Sequence, residues 1–181
     1  MKLSGNTILI AGATSGIMLP EDLHHSGFLA TAEATVETNL LGTIRLIAAL
    51  TEHLATRPRA TIVTVSSGLG FVPLPITPTY NATKAAVHSF TESLRVQLSD
   101  TSIGVLELVP PAIRTTLMNQ EDNEQAHPVS TYLDQVMSAL AARGTGEILV
   151  PAVEPLRFAE ARGECASMLN FLASPPDGAE Q

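Results

Sequence analysis

The stretch Thr61-Ile62-Val63-Thr64-Val65-Ser66-Ser67-Gly68, followed thirteen residues after Ser67 by Tyr80-Asn81-Ala82-Thr83-Lys84, organises the reading of this chain. A short β-branched run bounded by Ser and Gly reads as a buried strand over 61 to 66 that ends in a turn. The stretch after it, 78 to 99, carries Val87, Phe90, Leu94 and Leu98 at helical spacing, so Tyr80 and Lys84 are expected one turn apart on one helix face. A phenol, an ammonium and the Ser67 hydroxyl then converge at the end of a strand. An ammonium beside a phenol is expected to pull its proton affinity down from about 10 toward neutrality. Tyr80 would then trade a proton with a carbonyl or alcohol while Ser67 holds the same oxygen. None of these groups accepts a hydride, so a redox reaction needs an organic cofactor.

Outward from this centre the periods alternate. An apolar run at 7 to 12 reads as a strand, and 28 to 56 as one helix with a stripe through Val36, Leu40, Ile44, Ile47, Leu50 and Leu54. Residues 103 to 109 read as a strand closed by Pro110-Pro111, 130 to 143 as a helix, 147 to 150 as a short strand and 154 to 172 as a last helix. Strands alternating with helices imply an α/β fold with a parallel sheet. A single domain over 1 to 172 is expected, with a disordered tail at 173 to 181.

Composition narrows the classes. The chain has 181 residues, 45% of them hydrophobic, and a formal net charge of -8. That balance and the lack of a basic run argue against a nucleic-acid binder. No stretch approaches the roughly 18 to 20 apolar residues of a membrane span. The single Cys165 allows no internal disulfide, in keeping with a cytoplasmic protein. His24, His25, His53, His88 and His127 read as scattered, without a carboxylate at ligand spacing, so no metal site is expected.

The Ser67, Tyr80 and Lys84 spacing resembles the short-chain dehydrogenase/reductase family. The resemblance implies that Tyr80 is the general acid/base, that Lys84 tunes it and binds the nicotinamide ribose, and that Ser67 orients the substrate. Asn39, in Val36-Glu37-Thr38-Asn39-Leu40, would hold a water in the proton relay. Gly12-Ala13-Thr14-Ser15-Gly16-Ile17 resembles the family's glycine-rich loop, with Met18 where a further glycine is usual. Gly12, Ser15, Gly16 and Ile17 would thus approach the cofactor phosphates. Pro110, Ile113 and Thr115 resemble the loop that holds the nicotinamide carboxamide, with Pro111 replacing a glycine. Residues 117 to 130 lie where relatives carry a substrate lid. Gly68, Phe71, Val72, Pro73 and Leu74 suggest an apolar pocket wall beside Ser67.

The chain departs from the family after Ile17. No helix and second strand ending in an acidic or basic residue follow the loop, although that strand reads the adenosine ribose. Ile17-Met18-Leu19-Pro20-Glu21-Asp22 instead resembles what relatives carry after their fourth strand. The resemblance implies a truncated Rossmann-like sheet of about four strands from which roughly 60 to 75 residues are absent. An empty slot in the sheet centre would leave backbone donors and acceptors unpaired. Residues 7 to 12 are therefore expected beside residues 61 to 66, with an apolar edge left uncovered. Two functions stay open. One is an oxidoreductase that uses NAD or NADP to interconvert a small carbonyl and its secondary alcohol, as a homodimer. The other is a catalytically silent remnant that acts through association.

Overall fold

The computed structural model describes residues 4–12, 16–118, 123–142 and 146–174. Four strands, β1 (Thr7–Ala11), β2 (Ala60–Val65), β3 (Ile103–Val109) and β4 (Gly146–Leu149), form one sheet in the order β1-β2-β3-β4. Every pairing is parallel, with Thr7 opposite Ala60, Ala60 opposite Ile103 and Val109 opposite Leu149. The expected pairing of residues 7 to 12 with 61 to 66 is thus observed. Backbone pairing is obligatory inside a sheet, so β1 sits where its hydrogen bonds can be made.

Helices connect the strands. Between β1 and β2 run α1 (Leu29–Thr35), a π-helical turn (Val36–Leu41) and α2 (Gly42–Ala55). The 28 to 56 stripe is therefore not one regular helix. Then come α3 (Pro78–Gln97) and α4 (Val129–Ala142). The last expected helix is two: α5 (Glu154–Arg157) and α6 (Cys165–Ala173). Gly163 adopts a positive φ of 70° between them, and the Glu164 amide donates to the Ala159 carbonyl at 2.7 Å. That left-handed step closes a turn that a continuous helix cannot contain.

The sheet is covered unequally. On one face Ala11, Ala60, Ile62 and Ile103 pack with Ile47 and Leu54 of α2, supported by Phe90 and Leu94 of α3. On the other, Val63, Leu106 and Ile148 pack against Tyr132 and Val136 of α4. Central β2 is buried throughout, which suits its unbroken apolar and threonine run. Register places Ile8 and Ile10 on the second face, beyond the reach of α4, and they are 37% and 54% exposed. What lies open is thus one face of β1. Replacing Ile10 by Lys is expected to lower concentration-dependent light scattering while changing stability by no more than about 0.5 kcal/mol. Scattering that does not fall would show that this face takes no part in self-association. Among the described residues, no helix is long and apolar enough to cross a membrane.

Candidate active site

The site is assembled where β2 ends. Ser67 is extended, at φ -169° and ψ 155°, and its Oγ accepts from the Leu69 amide at 3.2 Å, starting a short 3-10 turn over Gly68–Gly70. The Gly68 amide donates to the Pro110 carbonyl at 3.0 Å, which fastens this turn to the end of β3. A Cβ on Gly68 would come within 2.8 Å of Val153 Cγ2 and Leu156 Cδ1, so α5 packs directly on the turn. Pro78 opens α3, a position where its missing amide is harmless. Thr77 makes no side-chain cap there, and Glu21 supplies one instead, its Oε2 accepting from the Thr79 amide at 3.0 Å.

Tyr80, Lys84, Ser67 and Asn39 are all buried, none more than 7% exposed. The Ser67 hydroxyl lies close enough to the Tyr80 phenol to draw its proton affinity down. The Lys84 Nζ stands 5.5 Å from the Tyr80 ring centroid and donates to the Val65 carbonyl at 3.0 Å. Phenol, hydroxyl and ammonium thus meet as the spacing predicts. Their electrostatics do not follow the expectation. Burial pushes the Tyr80 phenol above its ordinary value, and the Ser67 hydroxyl draws it only partly back. Burial brings the Lys84 ammonium down to about 8. Desolvation outweighs the attraction between phenolate and ammonium because both groups lie in the same dry wedge between β2 and α3.

Asn39 sits in the π-helical turn, but its amide is already engaged. Oδ1 accepts from the Ile17 amide and Nδ2 donates to the Ile17 carbonyl, both at 2.8 Å, with Thr83 Oγ1 a further 3.4 Å acceptor. A water held by that side chain would displace one of these bonds. Asn39 in this state clamps the loop after β1. Thr83 in turn donates to the Tyr80 carbonyl at 2.7 Å, linking the clamp to α3.

The remaining sequence candidates divide. Gly12 has a φ of 86°, and a Cβ there would lie 3.2 Å from Thr43 Oγ1 and 3.5 Å from the Val65 carbonyl, the same carbonyl that Lys84 binds. Gly12→Ala is expected to cost about 1 kcal/mol or more in urea denaturation; an unchanged midpoint would show that the left-handed turn is not required. Gly16 is exposed, Ile17 is held by Asn39, and Ser15 lies outside the described residues. Pro110 touches the Ser67 turn through its carbonyl. Ile113 and Thr115 belong to a loop closed on itself. The Arg114 amide donates to the His127 carbonyl and the His127 amide to the Ala112 carbonyl, both at 2.9 Å. Thr115 Oγ1 donates to the Ile113 carbonyl at 3.5 Å. Arg114, which the sequence reading passed over, clasps the loop by donating to the Asn123, Glu124 and Ala126 carbonyls. Of the expected lid, residues 119–122 lie outside the described residues.

Phe71 does not form the expected wall beside Ser67. Its ring meets His88 edge-on at 4.8 Å and lies under the Arg157 guanidinium at 4.5 Å. With Gly70, Arg157, Glu160 and Ala161 it lines a cavity of about 300 Å³ that none of Ser67, Tyr80 or Lys84 borders. His88 also departs from its reading as a lone histidine. Its Nδ1 lies 2.8 Å from a Glu107 oxygen and 3.7 Å from Glu147, and Glu92 follows one turn later on α3.

The short chain dehydrogenase family model matches residues 7–127. The chain is 41% identical over 129 residues to the uncharacterized oxidoreductase DltE of Bacillus subtilis, covering 68% of this chain and 51% of that protein. It is 31% identical over 103 residues to rat (Rattus norvegicus) 17-beta-hydroxysteroid dehydrogenase type 3, covering 55% of this chain and 33% of that one. A short chain dehydrogenase from Burkholderia cenocepacia, solved in complex with NADP, superposes with a TM-score of 0.75 at 25% identity over 93% of this chain and 71% of its own. The chain belongs to the short-chain dehydrogenase family. It spans about half or less of the length of these curated relatives.

Proposed function

We propose that this chain is an oxidoreductase that interconverts a carbonyl and a secondary alcohol with NAD or NADP, Tyr80 moving the proton on the reacting oxygen. The observation that carries the reading is the convergence of the buried Tyr80 phenol, Ser67 hydroxyl and Lys84 ammonium at the end of β2. When bound, the nicotinamide ring gives or takes the hydride at the substrate carbon. Tyr80, held protonated by burial, gives its proton to the carbonyl oxygen as charge develops there. Ser67 donates to the same oxygen and keeps it in line with the phenol. Lys84, with a proton affinity brought close to neutrality, restores the phenol's proton and favours its anion in the reverse direction. Nearby, the Gly12 turn leaves open backbone against Val65, where a side chain would intrude, and this suits close approach of a cofactor.

The donor set fits the nicotinamide half better than the adenosine half. Among the described residues no strand lies beyond β1, on the side where an element reading the adenosine ribose would stand. That absence and the engaged amide of Asn39 support the second reading, a silent family member that acts through association. Exposed Leu41 and Leu46 on the α1 to α2 segment and Val96 on α3 suit a homodimer in either case.

Deuteride transfer separates the two readings. Incubation with a hydrophobic ketone and NADPH or NADH deuterated at the reactive carbon is expected to give an alcohol one mass unit heavier. The label is placed at both positions of that carbon, and no alcohol with either cofactor favours the silent reading.

A further inference from the structure

A second cluster, on α3 and β3, has the chemistry of a metal site. His88 and Glu92 lie one turn apart on α3, and Glu107 rises from β3 beneath them. One donor atom from each can be chosen so that all three lie within 4.8 Å of one another. Glu107 is fully buried, and the His88 Nδ1 lies 2.8 and 3.1 Å from its two oxygens. Strand register sets Glu147 directly beside Glu107 on the same face, which places two carboxylates where they repel. Arg157 bonds Glu147 at 2.7 Å, and Arg95 pairs with Glu92. Buried carboxylates persist when paired or when bound to a metal ion, and an imidazole with two carboxylates is a donor set that both uses share.

We propose that His88, Glu92 and Glu107 bind a divalent cation of the zinc type, the ion taking the place of the direct contact between His88 and Glu107. Zinc sits about 2.0 to 2.2 Å from nitrogen and oxygen ligands. His88 Nδ1 and the Glu107 oxygen, 2.8 Å apart, would need to open only to about 3.3 Å around a tetrahedral ion. Glu92, whose side chain is exposed, completes the set by turning from Arg95 toward the ion. Three protein donors leave the fourth tetrahedral position to water. Phe71 and Arg157, which line the 300 Å³ cavity, adjoin His88 and Glu147, giving the ion a route from solvent.

A surface group could mimic the signal. His24 and His25 both contact the Asp22 carboxylate, and all three are exposed. The test therefore uses the full chain with His24→Gln and His25→Gln already made. Cobalt(II) chloride is titrated by visible absorption and zinc chloride by calorimetry. The expected result is one ion per chain with the absorption of tetrahedral cobalt. Glu92→Gln, an exposed change that leaves the core intact, should weaken binding about tenfold or more, and His88→Gln should abolish it. No saturable binding, or binding that survives His88→Gln, overturns the site and leaves an ion-pair network with an adventitious ion only. Loss with His88→Gln but none with Glu92→Gln overturns the three-ligand set.

Discussion

Tyr80→Phe is expected to lower kcat/KM by about 10² to 10⁴, the range over which a positioned acid or base contributes. The substitution keeps the ring, its burial and its place beside Lys84, and removes only the phenol oxygen beside the Ser67 hydroxyl. Ser67 retains the Leu69 amide as a donor, so the turn after β2 should hold. The loss of one hydrogen bond costs about 1 kcal/mol. Steady-state turnover measured alongside thermal unfolding separates the two effects. Turnover equal to that of the unaltered chain, in a variant that remains folded, would remove Tyr80 from the chemistry.

The second large effect is a pH dependence of stability at Lys84. Burial brings its ammonium from 10.5 down to about 8. Between these values the unfolded chain holds a proton that the folded chain has released, so stability rises with pH across this window. Below about 8 both states are protonated and the cost of burying the charge is present in full. In urea unfolding, the unaltered chain should gain about 2 kcal/mol relative to Lys84→Met between pH 7.5 and 9.5. Both values lie below the window in which the buried Tyr80 phenol titrates, which is raised above 10.0. Parallel stability curves for the two proteins would show that Lys84 is better solvated than its position between α3 and Val65 implies.

The parts of this fold that the sequence revealed are those set by local pattern or by obligatory backbone pairing. Residues 61 to 66 are apolar and β-branched with no alternation because β2 is buried on both faces. The place of β1 followed from the need to pair its backbone once no intervening strand was present, and the register with β2 agrees. The turn at Gly163 was missed because the apolar residues on either side keep helical spacing while the glycine between them takes a left-handed φ. The π-helical turn at Val36–Leu41 was hidden for a similar reason: an extra residue in one turn hardly disturbs an apolar stripe.

The site was legible in its members and less so in its electrostatics. Tyr80 and Lys84 meet because four residues make one helical turn, which sequence spacing reports directly. Their proton affinities depend on how dry the space between β2 and α3 is, and no spacing reports that. Contacts across long separations were equally silent. Glu21 caps α3 at Thr79, 58 residues away, and Asn39 holds Ile17 across 22. Glu107 meets His88 only because β3 passes under α3. His88 and Glu92 stand four residues apart, a spacing the sequence reading passed over, and the buried carboxylate that gives the pair meaning lies on another element.

Whether a chain that spans about half or less of the length of its curated relatives receives the nicotinamide ring beside Tyr80 is the point on which the proposed activity stands. Calorimetric titration of the unaltered chain and of Lys84→Met with NADPH and with NADH tests it directly. The account predicts saturable binding of at least one of the two, weakened in the Lys84→Met variant. No binding to the folded, unaltered chain at millimolar concentrations of either cofactor would contradict it.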